Sequence, residues 1–132
     1  MARLTAALLL GGALFTLPAL AEELQVQVLQ DKLNHPWSVA FLPDNQTLLI
    51  TERSGELRSW RPDSGLSQPI EGVPKATVRR QAGLLDVVLA PDFAQSRRVW
   101  LSYTEASDSG ELGAVVGYGQ LSADNRQLIG FR

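Results

Sequence analysis

Side chains able to do covalent or metal chemistry are scarce in this sequence of 132 residues. There is no cysteine and only one histidine, so no thiolate nucleophile and no Cys/His cluster with transition-metal spacing can be built. A phosphate-binding glycine loop with its Lys is missing, as is a Gly-x-Ser-x-Gly elbow for a serine nucleophile. His35 stands in Asn34-His35-Pro36 at the opening of a strand and reads as a turn or packing residue. Asp86 reads as a structural carboxylate at a strand's inner end. Asp108-Ser109-Gly110-Glu111 offers oxygen ligands, but without the ordered spacing of a calcium loop, and reads as a hairpin turn. Arg79-Arg80 and Arg97-Arg98 are pairs rather than patches and read as solvated loops or strand ends. Trp37, Trp60 and Trp100 fall on strand positions and are expected in a core rather than as sugar-stacking platforms.

The elements around these residues have the period of short strands, with no sustained helical repeat. Leu24-Gln25-Val26-Gln27-Val28 alternates strictly and predicts a half-buried strand. Ser38–Leu42 is a compact apolar run closed by Pro43-Asp44-Asn45, and Thr47–Thr51 is rich in β-branched and aliphatic residues. Arg53-Ser54-Gly55 turns the chain into Leu57–Trp60, which ends at Arg61-Pro62-Asp63-Ser64-Gly65. Three strands joined by tight turns predict an antiparallel meander. The pattern then returns. Ser38–Asp44 matches Asp86–Asp92, with the Pro-Asp pairs at 43–44 and 91–92, and both units continue into a strand ending in Thr-Glu. The second turn is longer by five residues, the excess lying between Phe93 and Arg98, and a third strand follows over Ala114–Leu121. An antiparallel repeat of this length predicts all-β architecture of the β-propeller type. Such rings need roughly 4–8 blades to close, so a chain of little more than two blades predicts a truncated product rather than a complete ring.

The amino terminus is written differently. Met1-Ala2-Arg3 is basic, Leu4–Ala21 is uncharged and mostly apolar, and Pro18-Ala19-Leu20-Ala21 places small residues before a cut. Residues 1–21 therefore predict a cleavable signal peptide, with Glu22 opening a mature part over 22–132. Loss of Arg3 leaves eleven basic against fourteen acidic residues, a net charge of −3 with His35 neutral. That balance offers no footprint for nucleic acid. No later run is apolar for long enough to span a bilayer, so the mature chain is expected to be soluble and periplasmic or secreted. Export without cysteine suits a bacterial periplasmic protein held by packing rather than cross-links.

Two stretches carry a more specific likeness. One is Leu33-Asn34-His35-Pro36-Trp37-Ser38-Val39-Ala40-Phe41-Leu42-Pro43-Asp44 with the later Leu49-Ile50-Thr51-Glu52-Arg53-Ser54-Gly55. The other is Gln81-Ala82-Gly83-Leu84-Leu85-Asp86-Val87-Val88-Leu89-Ala90-Pro91-Asp92-Phe93. Together they resemble the soluble quinoprotein sugar dehydrogenases of the glucose/sorbosone dehydrogenase family, in particular its aldose sugar dehydrogenase branch. The resemblance runs from about Leu29 to the end of the chain. It implies a six-bladed propeller that oxidises the anomeric carbon of an aldose to a lactone. It also implies pyrroloquinoline quinone (PQQ) as cofactor, calcium as its aid, and an external electron acceptor. A Gln before the family's Gly-Leu-Leu strand contacts the cofactor, and Gln81 matches it; a neutral amide can both donate and accept there. The family tends to have Gly before this Gln and Gly or Asn after it, where this chain has Arg80 and Ala82. Their side chains either crowd a cofactor that approaches the backbone closely, or let Arg80 add a charge partner for its carboxylates. The alternative for Gln81 is a polar loop residue facing water.

The family's catalytic His, its cofactor-clamping Arg, Lys and Asn residues and its calcium ligands belong to later blades, so no catalytic or metal residue is expected in this chain. The sequence thus reads as the opening of a periplasmic quinoprotein oxidoreductase, inactive by itself. Two rivals are a non-enzymatic exported propeller that binds sugar or protein, and a small β-domain that closes a ring from several copies.

Overall fold

Alternating side chains make each strand two-faced, and the fold follows from where those faces are buried. The structure, a computed structural model, describes residues 24–132; the expected leader over residues 1–21 lies outside the described residues. The element order is β1 (Pro36–Phe41), β2 (Leu48–Glu52), β3 (Glu56–Arg61), β4 (Gly65–Leu66), β5 (Leu84–Leu89), the helical turn α1 (Phe93–Ser96), β6 (Arg98–Ala106), β7 (Leu112–Leu121) and β8 (Leu128–Ile129). They make two four-stranded antiparallel sheets, β1-β2-β3-β4 and β5-β6-β7-β8, each a meander in chain order.

The two sheets repeat one plan down to its irregularities. The ladder of β1 on β2 shifts between Pro36 and Ser38, and that of β5 on β6 shifts between Leu84 and Val87. Each bulge twists the first strand of its sheet at the same place in the repeat. The repeat also decides what touches what. The Ser38 hydroxyl donates to Oδ1 of Asp86, 48 residues onward and its counterpart in the second unit. Nearby, the Thr51 hydroxyl donates to the Leu85 carbonyl at 2.5 Å. These bonds stitch β1 and β2 to β5, so the sheets stack face to face with their first strands adjacent.

Between them lies one core. Leu42, Leu49 and Leu57 come from the first sheet, and Leu84, Val87, Val99, Leu101, Tyr103, Leu121 and Leu128 from the second. Ile70, on the crossover from β4 to β5, closes its outer end. The crossover is held by main-chain bonds, Ile70 N–H to the Leu57 carbonyl at 2.8 Å and Leu128 N–H to the Glu71 carbonyl at 2.7 Å. Each large aliphatic side chain fully buried here contributes about 1.5–3 kcal/mol.

Several expectations are corrected. Leu24–Val28 forms no strand: Leu24 and Val26 are 95% and 94% exposed, because alternation makes a strand only where a neighbour takes up its hydrogen bonds. Each meander has four strands rather than three; β4 and β8, of two residues each, are too short to show a period. The longer second turn contains α1, ended by Arg97 with φ +50. Trp60 is buried and Trp100 half-buried against the Tyr118 ring, 4.6 Å between centroids, but Trp37 is 46% exposed. Trp37, Val39 and Phe41 share the face of β1 that turns away from β5, and all three are exposed. Arg97 is no solvated loop residue either. Its guanidinium donates to the carbonyls of Leu121 and Ser122 and to Oδ1 of Asn125, fastening α1 to the end of β7.

The Pro-Asp turn of the first sheet is built on one carboxylate. Asp44 Oδ1 accepts from the N–H groups of Gln46 and Thr47 at 2.9 and 2.8 Å, and Oδ2 from the Thr47 hydroxyl at 2.6 Å and Arg61 Nη1 at 3.0 Å. These donors, the Thr47 hydroxyl foremost, hold the Asp44 carboxyl down to about 2 from 3.8. A folded value below the unfolded one stabilises the protein above the unfolded pKa and is lost as pH falls through the folded one. The side chain is 44% exposed, so solvent screens part of the effect. Asp44→Ala is expected to cost about 1 kcal/mol at neutral pH. The penalty should shrink as pH falls from 3.8 to about 2. Urea denaturation across that range checks this, and a penalty independent of pH would refute it.

Candidate functional site

One end of both sheets gathers the loops that enter β1 and β5 and leave β2 and β6. Arg53, just past β2, ties them together through its main chain and its side chain. Its N–H donates to the His35 carbonyl at 3.0 Å, and its own carbonyl accepts the Leu84 N–H at 3.3 Å. Its guanidinium Nη1 donates to the Arg80 carbonyl. Such contact requires a residue without a side chain at 83: a Cβ there would stand 2.1 Å from the Arg53 carbonyl oxygen and 2.8 Å from Arg53 Cγ. The other side of the loop is pinned to β6. Thr104 N–H donates to the Gly83 carbonyl at 3.0 Å, Thr77 N–H to the Thr104 carbonyl at 2.7 Å, and the Thr104 hydroxyl to the Thr77 carbonyl at 2.7 Å.

At the tip, Arg79 and Ala82 face each other through two main-chain bonds, Arg79 N–H to Ala82 O at 3.3 Å and Ala82 N–H to Arg79 O at 2.9 Å. Arg80 and Gln81 are the two central residues of this tight turn, and Arg80 has φ +57 while Gln81 is not in the positive-φ region. A positive φ at the first central position alone is the signature of a type II′ turn, a position that glycine usually fills. Both side chains are exposed. Gln81 makes no side-chain hydrogen bond among the described residues, so its amide can donate through nitrogen and accept through oxygen. The Arg79 guanidinium donates to the Gly110 carbonyl at 3.2 Å, leaning the turn toward the β6–β7 hairpin.

The other candidates do not converge on Gln81. His35 is exposed at φ +54, with Nδ1 2.7 Å from Oδ1 of Asn34, and serves as a turn residue. Asp86 sits within β5, where it accepts from Ser38 and its N–H donates to the Ser102 hydroxyl at 3.0 Å. Asp108–Glu111 lies in the β6–β7 hairpin, closed by the Ser107 N–H on the Glu111 carbonyl at 2.8 Å. Among the described residues no group of three or more His, Cys, Asp or Glu could hold a metal ion.

Glu52 escaped the sequence analysis. Its carboxylate is fully buried; Oε1 accepts the Asn34 N–H at 2.6 Å, and Oε2 has no hydrogen-bond partner, with Arg58 Nη1 3.9 Å away. Glu56, directly opposite on β3, is held above the ordinary carboxyl range by the Glu52 carboxyl and by burial. Glu52 thus anchors the chain that enters β1 at Asn34. The only signal was its position at the end of an apolar strand, where a carboxylate must be paired if it points inward.

Two four-stranded meanders stacked face to face, with their first strands adjacent, are consecutive blades of a β-propeller. The chain belongs to the glucose/sorbosone dehydrogenase family, whose profile matches residues 33–132. It is 58% identical over 123 residues to aldose sugar dehydrogenase YliI of Escherichia coli, covering 93% of this chain and 32% of that protein. It is 30% identical over 88 residues to quinoprotein glucose dehydrogenase B of Acinetobacter calcoaceticus, covering 65% of this chain and 18% of that protein. The crystal structure of the soluble aldose sugar dehydrogenase of Escherichia coli in its apo form superposes with a TM-score of 0.79 at 61% identity, covering 80% of this chain and 30% of that one. The chain therefore spans about a third of the length of its E. coli relative.

The turn's position depends on the missing side chain at 83. Gly83→Ala is expected to destabilise by about 1–3 kcal/mol, because a methyl must displace the Arg53 main chain. Gly113→Ala, with nothing within 4 Å of the new methyl, should stay within about 0.5 kcal/mol. Urea denaturation of both variants tests the assignment, and equal effects would refute it.

Proposed function

We propose that this chain forms the first two blades of an exported aldose dehydrogenase that uses PQQ and whose remaining blades complete the ring. The observation that carries the reading is the free amide of Gln81, held on a doubly pinned turn, in a chain 58% identical to an aldose sugar dehydrogenase. PQQ, when bound, supplies the two-electron acceptor for the sugar's anomeric carbon, giving a lactone. The residues present fit such a polar molecule: Gln81 would help to hold it, its amide donating to a quinone or carboxylate oxygen. Arg53, bonded to the Arg80 carbonyl and the Leu84 N–H, ties down the backbone of the turn that carries Gln81, which lowers the ordering cost of such a contact. The base that takes the sugar hydroxyl proton, the calcium ligands and the contact with an electron acceptor are assigned to later blades. His35 does not match the position of the family's catalytic His and stands in the turn before β1, so the base is not assigned to it. Among the described residues no helix is long and apolar enough to cross a membrane. The basic, apolar and small-residue run ending at Ala21 supports export to the periplasm.

The test uses protein purified from the cells that make it. Its intact mass is expected to be about three times the 14.4 kDa of this chain, in proportion to the E. coli relative. PQQ titration should show saturable quenching of tryptophan fluorescence and dye reduction with an aldose. Gln81→Ala should weaken PQQ binding about tenfold, the loss of one well-formed polar contact. A stable species running from Glu22 to Arg132, or absence of saturable binding, would favour a non-enzymatic exported module instead.

A further inference from the structure

Arg80 occupies a costly position, and its side chain makes no hydrogen bond or ion pair among the described residues in return. A non-glycine residue held at positive φ in such a turn costs about 1–3 kcal/mol, and an outlier of this kind points to a role for the side chain. Arg97, also at positive φ, shows what structural compensation looks like: its guanidinium satisfies two carbonyls and an amide oxygen. The Arg80 guanidinium is exposed and makes no hydrogen bond or ion pair among the described residues. What holds Arg80 is its carbonyl, which accepts from Arg53, so the turn is fixed while the side chain remains free.

The charge around it is also unbalanced. Arg53 and Arg79 direct their guanidinium groups at main-chain carbonyls, of Arg80 and Gly110, and neither forms an ion pair among the described residues. Among the described residues the ion pairs gather instead at Glu52–Glu56–Arg58 and at Asp44–Arg61–Asp63. Three guanidinium groups on or against one turn, next to a free amide, make a surface for an anionic planar ligand rather than a neutral one.

We infer that Arg80 is a second cofactor contact beside Gln81, its guanidinium pairing with a carboxylate of the bound quinone. The inference rests on the PQQ reading above and resolves the choice between crowding and charge in favour of charge. Arg80 selects for the anionic cofactor and adds affinity; it takes no part in moving the sugar's proton.

The experiment compares parent, Arg80→Asn and Arg80→Lys proteins, each purified from cells carrying the substitution in the chromosome. Asn tolerates positive φ, so the turn persists while the charge is removed. PQQ is titrated by tryptophan quenching at low and high salt. Arg80→Asn is expected to raise Kd about tenfold at low salt, the effect of losing one charge-assisted bond. It should also flatten the salt dependence, since an exposed ion pair is screened by added salt. Arg80→Lys should keep the salt dependence and recover part of the affinity. A parent that binds while Arg80→Asn matches it in Kd and in salt dependence, or binds more tightly, overturns the role of Arg80 alone. A parent that does not bind PQQ overturns the quinone reading and this inference with it.

Discussion

A four-stranded sheet of five- to ten-residue strands has two faces and cannot bury either one alone. The molecule is organised by how the first pair of faces is closed. Leu49 and Leu57 on one sheet meet Leu84, Leu101 and Leu121 on the other, all with almost no exposure. Leucine packing is not directional, however, and would tolerate some sliding of one sheet on the other. The seam between β1, β2 and β5 supplies the register. Ser38 on Asp86, Thr51 on the Leu85 carbonyl and Leu84 on the Arg53 carbonyl are directional bonds, each between elements of different sheets. They are possible only because the main chains approach closely at Gly83, where a side chain would collide.

The same seam creates the candidate site. Arg53 closes the seam with its carbonyl and reaches with its guanidinium to the next turn, so packing and positioning share one residue. Gln81 is consequently held by the core without being part of it. This arrangement lowers the entropy that a ligand must remove on binding, which is how a loop contact becomes useful. The free groups at this end, the Gln81 amide and the Arg80 guanidinium, thus sit on a turn whose own hydrogen bonds are satisfied by main chain and by the Arg53 guanidinium.

The faces turned away from this core tell a different story. Trp37, Val39 and Phe41 on the first sheet and Val88, Val116 and Ile129 on the second are all large, apolar and exposed. Isolated exposed hydrophobics are ordinary, but rows of them along strands are what further sheets cover in a ring of blades. The proposed chemistry agrees with this division. A two-blade unit can present an amide and a guanidinium to one edge of a cofactor, whereas the base and the remaining clamps need side chains from other directions.

Much of this was legible in the sequence. The 48-residue repeat from Ser38–Asp44 to Asp86–Asp92, the turn residues between strands and the Gln81–Phe93 motif follow from local pattern, because turn chemistry and strand alternation are properties of neighbouring residues. Those features determined the all-β class and the blade length, whereas Gln81 stood out only through the family resemblance that its motif carries. Local pattern misled at Leu24–Val28 and at Trp37, where alternation predicts a strand or a core but burial requires a partner from elsewhere in the chain. Glu52, Arg97 and Arg53 were invisible as anchors, since each acts on a carbonyl, amide or N–H group supplied by a distant segment or the next loop. Only the tertiary structure decided that Gly83 must lack a side chain and that the Arg80 guanidinium stands free, because both facts depend on what lies across the seam rather than along the strand.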